Sequence, residues 1–190
     1  MISKLSNNKN ETVWTRRFIA AAMIQGAIIV GFTVFLVLSQ ISILKPEISR
    51  VIAAGGAGSW FTFGYMMYIV VGVVGGAVSS VFYLYLEKLM GIQYRSGIAK
   101  ALAWIHLILM NIGSSTAMGL MMVAGGAAMF PVNVGGKGFN AGQAHEILAP
   151  FVEPISIAIL VLAAGVVAGG IAFLLVYRSK QFEKEHIVGQ

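Results

Sequence analysis

The chain has no cysteine among its 190 residues, and only 11% of it is charged. The first absence excludes disulfides, thiolate-held metals, iron–sulfur clusters and covalently attached c-type haem, all of which need sulfur from the protein. The second excludes an ordinary soluble domain, in which roughly a quarter of the residues carry charge. Catalytic constellations are missing as well: no serine, histidine and acid set, no paired carboxylates inside an apolar run, and no His-x-x-x-His pair. A self-contained catalyst is therefore not expected.

What is present is apolar. Hydrophobic residues make up 58% of the chain and the mean hydropathy is +0.85, values that place it among integral membrane proteins. Four long apolar runs predict an all-α, four-helix membrane bundle formed by a single domain, 1–190, with spans at about 18–44, 60–86, 98–130 and 154–177. Each crossing needs roughly 20 residues, so no sizeable soluble domain fits beside them. The polar, basic segment 1–17 precedes a run that lacks a small-residue cleavage pattern, which predicts a retained anchor rather than a removed signal peptide.

The net charge is +6. In a soluble protein this would suggest nucleic acid. Here the basic residues flank apolar runs, where they set topology and meet anionic lipid, so the bilayer is the expected partner and nucleic acid is not. Of the thirteen Lys and Arg residues, ten fall in the N-terminal segment, the loop after the second span and the C-terminal tail; only Lys45, Arg50 and Lys137 fall on the opposite side. The positive-inside rule then puts both termini in the cytoplasm of a multi-pass protein of the cell membrane.

Small residues recur at helical spacing. Gly72, Gly76 and Ser80 stand four apart, as do Gly165 and Gly169, and such stripes let helix backbones approach closely, so they are expected to be seams through which the bundle packs against larger catalytic subunits or against a second copy. The glycine-rich connection around Lys137 is superficially like a phosphate-binding loop, but no Ser or Thr follows the lysine and no strand precedes it. It is expected to be a flexible loop.

Few polar groups lie within the runs. Gln25 is expected to bond across a helix interface, and Asn111 falls near mid-membrane. His106 sits about two turns inside the third span. It can pack or hydrogen-bond structurally, contact haem, or meet a proton or a quinone. His145, Glu146 and Glu153 are a weaker candidate metal group at the mouth of the last two spans, and Met110, Met118, Met121, Met122 and Met129 could offer soft sulfur to copper, although methionine more often fills gaps. His186, in the charged tail, carries no such case.

The stretch Trp104, Ile105, His106, Leu107, continuing through Asn111 and Gly113 to Pro131, resembles the histidine-bearing helix of haem-copper oxidase subunit I, in its cbb3 and nitric-oxide-reductase-like branches. The second span, GSWFTFGYMMYIVVGVVGGAVSSVFYLYLE, is similar to helices of short four-span oxidase-like proteins of archaea, including ammonia oxidisers. The resemblance implies an accessory subunit of a respiratory or ammonia-oxidising electron-transfer complex, partnered by larger redox subunits. Its alternative is a protein that contacts haem b, through His106, or a quinone; a small transporter is a weaker third class. Oxidase catalytic subunits have many more spans and several histidines, so only His106 carries over.

Overall fold

The structure is a computed structural model that describes residues 12–42, 56–92, 94, 97–129 and 141–188. It is all helical among these residues, with four helices long and apolar enough to cross a membrane. Helix α1 is Val13–Ser42, α2 is Ala57–Leu89, α3 is Ile98–Met129 and α4 is Ala141–Val188. At about 1.5 Å per residue, even the 30-residue α1 exceeds the roughly 30 Å thickness of a hydrocarbon core.

Two boundaries differ from the sequence reading for physical reasons. Helix α1 starts at Val13 rather than 18, taking Arg16 and Arg17 into the helix, because its first free N–H groups find a buried acceptor far along the chain. Helix α4 contains Pro150 and Pro154 and begins at Ala141, whereas a proline at 154 reads in sequence as a helix start. Both prolines lie on the exposed side, where the carbonyls that lose their i+4 donors stay accessible to other partners. The connection bearing Lys137 and the residues Lys45 and Arg50 lie outside the described residues.

Helix α2 is not uniform. It is α-helical over Ala57–Met67 and Gly75–Leu84, with wider π turns at Tyr68–Val74 and Tyr85–Leu89. A π turn adds a residue to the local repeat and rotates the face that follows, and the two halves of α2 accordingly serve different neighbours. The first half packs on α3: a Cβ at Gly64 would lie 2.8 Å from the Met121 Cβ, and one at Gly125 would lie 2.8 Å from the Ala57 carbonyl oxygen. The second half packs on α1, where a Cβ at Gly76 would come within 3.3 Å of the Ala22 Cβ.

Gly165 and Gly169, the second stripe, join α4 to α3, together with Gly113 of α3. A Cβ at Gly113 would stand 2.5 Å from the Leu162 nitrogen, and one at Gly165 would stand 2.7 Å from the Met110 nitrogen. The stripes noted in the sequence are therefore seams inside the chain, and not, as expected, faces held out to a larger subunit, because each glycine is already covered by a neighbouring helix. Helix α4 packs along α3 and otherwise makes only isolated contacts, so α2 beyond its first π turn and α4 diverge over α3 and leave a gap between them. Three clusters fill the interior in sequence along the bundle: Trp14, Phe18, Tyr83, Leu86, Tyr94 and Met110 at one end, Ile29, Tyr68, Ala117 and Met118 in the middle, and Ala124, Ala128 and Leu148 at the other.

Candidate functional site

The polar groups of the spans fall into three sets. In the middle of the bundle, Gln25 Nε2 donates to Asn111 Oδ1 at 3.2 Å and to Ser115 Oγ at 2.9 Å, and Ser115 Oγ lies 3.2 Å from Gln25 Oε1. Asn111 Nδ2 turns back to the Leu107 carbonyl at 2.7 Å. Gln25 is buried and reaches α3 past Gly72, where a Cβ would be 3.2 Å from its Oε1. The missing side chain at Gly72 is thus what lets an amide from α1 meet α3. An amide in hydrocarbon costs several kcal/mol if left alone, and this pairing removes that cost.

The second set starts α1. Glu87, in the π turn that ends α2, is buried, and its carboxylate accepts from the Trp14 N–H at 2.8 Å, the Thr15 N–H at 3.1 Å and the Thr15 Oγ1 hydroxyl at 2.8 Å. The first N–H groups of a helix have no partner within it and carry partial positive charge, so a carboxylate there is both a cap and a counter-charge. Arg17 packs over the rings of Trp14 and Trp104, its guanidinium carbon 4.6 and 4.4 Å from their centroids.

The third set surrounds His106. The imidazole is buried, 4.8 Å from the Phe18 ring, and packed so closely on Gly169 that a Cβ there would overlap it. Its Nδ1 lies 3.3 Å from the Tyr83 hydroxyl, and its other nitrogen makes no hydrogen bond among the described residues. Tyr83 stacks on Phe18 at 4.8 Å and meets Tyr94 at 5.6 Å. Tyr94 is 8% exposed and its hydroxyl has no partner among the described residues. Burial, reinforced by the Glu87 carboxylate, pushes the Tyr94 phenol above its ordinary value, so it stays a protonated donor.

His106, Tyr83 and Tyr94 border a cavity of about 610 Å³ in the gap between α2 and α4. Its floor is His106 and Met110 of α3; Val70, Gly75, Ser79 and Phe82 form one wall, and Val166, Gly170, Phe173 and Leu174 the other. Phe82 and Phe173 meet edge to face at 6.0 Å across it. Ser79 donates to the Met110 sulfur at 3.6 Å, and the Tyr94 hydroxyl, though its residue borders the cavity, is enclosed by the protein.

Haem b does not fit these residues. His106 and Met110 stand one turn apart on the same helix face, no second His or Met from α2 or α4 faces either of them among the described lining residues, and none of those residues is a Lys or Arg that could meet propionates. The outer candidates do not converge either. His145, Glu146 and Glu153 are exposed along one helix, and eight residues of rise, about 12 Å, separate the first from the last; among the described residues no three His, Asp or Glu side chains form a metal-holding group. Met118, Met121 and Met122 pack in the middle apolar cluster, apart from Met110.

Tyr83, Tyr94 and Glu87 were not singled out by the sequence. In the sequence Tyr83 is one of several aromatic residues closing the second apolar run, and Glu87 stands just past its end at 86. One signal for them existed: Gly72, Gly76, Ser80, Tyr83 and Glu87 continue a single stripe at helical spacing, so the last two face α1 as the first three do. Nothing in the sequence marks Tyr94. No known family, curated protein or solved structure matches the chain.

Proposed function

We propose that this chain is an accessory membrane subunit of an electron-transfer complex, respiratory or ammonia-oxidising, seated in the cell membrane with both termini in the cytoplasm and serving packing and assembly rather than catalysis. The observation that carries the reading is the use made of the polar side chains: Gln25, Asn111 and Ser115 join α1 to α3, and Glu87 caps α1. These groups are engaged in holding the chain together. The oxidase-like stretch around His106 supplies the electron-transfer context.

Because the glycine seams are occupied within the chain, larger partners would meet the outer apolar faces of the edge helices. Met23, Ile24, Phe35 and Leu38 on α1 and Leu160, Val167 and Leu174 on α4 are more than half exposed. Extraction of native membranes with a mild detergent tests the reading: the chain is expected to migrate in a large complex with redox subunits, and recovery as a free monomer would overturn it.

The absence of cysteine makes the orientation simple to test. Ser3→Cys and Lys137→Cys each introduce the chain's single thiol. A membrane-impermeant maleimide added to intact cells is expected to label the second and spare the first.

A further inference from the structure

We propose that the start of α1 and α3 forms a binding site for an anionic phospholipid, with Arg17 and Lys100 on the headgroup phosphate and the acyl chains along the isoleucines farther into each helix. The site stands independently of membership in any complex. Every Lys or Arg whose side chain is described lies at this end of the bundle: Arg16 and Arg17 on α1, Lys88 on α2, Lys100 on α3 and Arg178 on α4. The described acid among them, Glu87, is buried and accepts from Trp14 and Thr15 instead. The positive charge is therefore left for something outside the chain.

Arg17 is the built part of the site. The Trp14 and Trp104 rings meet at 80° with their centroids 5.3 Å apart, and the Arg17 guanidinium carbon sits in that corner, 4.6 and 4.4 Å from the two centroids. The indoles hold the cation by its attraction to their faces, but they offer its five N–H groups no oxygen. No other oxygen among the described residues takes them. A guanidinium already held in place, with its donors free, suits a pair of parallel bonds to a phosphate.

The surroundings select a lipid over a free anion. Lys100, Trp104, Ile108 and Ile112 stand four apart on α3 and are all exposed, so a second cation lies one turn before the Trp104 indole and an apolar strip runs on beyond it. On α1, Ile24 and Ile28 continue the Arg17 face and are 61% and 54% exposed. Charge, then aromatic ring, then aliphatic side chain follows the order of headgroup, interface and acyl chain in one leaflet. A zwitterionic headgroup brings its own ammonium, which the two cations repel.

The full chain in a neutral detergent is titrated with dioctanoylphosphatidylglycerol, and the retained lipid is counted by native mass spectrometry. One retained lipid is expected, displaced neither by dioctanoylphosphatidylcholine nor, at the same concentration, by glycerol phosphate, which lacks the chains. Arg17→Met keeps an apolar arm over the indoles and removes the charge; it should weaken retention about tenfold. Arg178→Met, an equal loss of charge at the same end, should leave retention within about twofold of wild type. Absence of a retained lipid, equal affinity in wild type and Arg17→Met, an equal loss in Arg178→Met, or displacement by either competitor would overturn the assignment. Should Arg17→Met fail to fold, Lys100→Met, on an exposed helix face, decides by the same comparison.

Discussion

The Glu87 carboxylate accepts the Trp14 N–H at 2.8 Å across 73 residues of sequence, and both residues are buried. Removing the acceptor in Glu87→Ala leaves two N–H groups and the Thr15 hydroxyl without a partner. A loss of about 3 kcal/mol is expected, read as a lower thermal unfolding temperature in detergent. Glu87→Gln keeps one acceptor oxygen and should lose less. Equal stability of the Glu87→Ala and wild-type chains would show that the contact carries no weight.

Gln25 and Ser115 form the second tie. Interhelical hydrogen bonds in membranes contribute roughly 0.6–2 kcal/mol, so Gln25→Leu is expected to destabilise by about 1 kcal/mol, with Asn111 still held by the Leu107 carbonyl at 2.7 Å. Combined with Ser115→Ala, the two effects should add to less than their sum, because both remove the same bonds. Strict additivity in the double-mutant cycle would contradict the pairing.

Two glycines of α3 should respond in opposite ways to the same change. At Gly113 a Cβ would sit 2.5 Å from the Leu162 nitrogen and 2.9 Å from the Ala158 oxygen, whereas at Gly119 nothing lies within 4 Å. Gly113→Ala must push α3 from α4 and is expected to destabilise by about 1–3 kcal/mol. Gly119→Ala relieves a mid-helix glycine and should stabilise by roughly 0.5–1 kcal/mol. Circular dichroism melts of the two variants provide the comparison.

The misfit of haem to the lining predicts that purified protein incubated with hemin gains no Soret band dependent on His106. His106→Ala and wild type should give superimposable spectra. A band present in wild type and lost in the variant would restore histidine ligation of iron.

The four spans were legible because a bilayer imposes length and apolarity on every crossing, and three of the expected runs overlap the helices closely. Gln25 and the glycine stripes were legible for a related reason: polar amides and missing side chains inside hydrocarbon have few uses. The early start of α1 was not, since it depends on Glu87, a contact made only after folding. The π turns at Tyr68–Val74 and Tyr85–Leu89 leave no mark on apolar periodicity over so short a length. The cavity was hidden for that reason too, because it exists only where the turn at Tyr68–Val74 swings α2 from α3 towards α1.

Each new span finds a packed neighbour among those already made: α2 meets α1 and α3 meets α2, while α4 meets α3. A ribosome feeding these segments into the bilayer one after another would therefore give each new helix a partner on entry, while the α3 seam at Gly113 closes only when α4 arrives. Both polar ties, from Glu87 to α1 and from Gln25 to Ser115, are complete once α3 has entered. The last span takes part in neither. It supplies the far wall of the cavity, so the pocket is the final part of the molecule to come into being during synthesis.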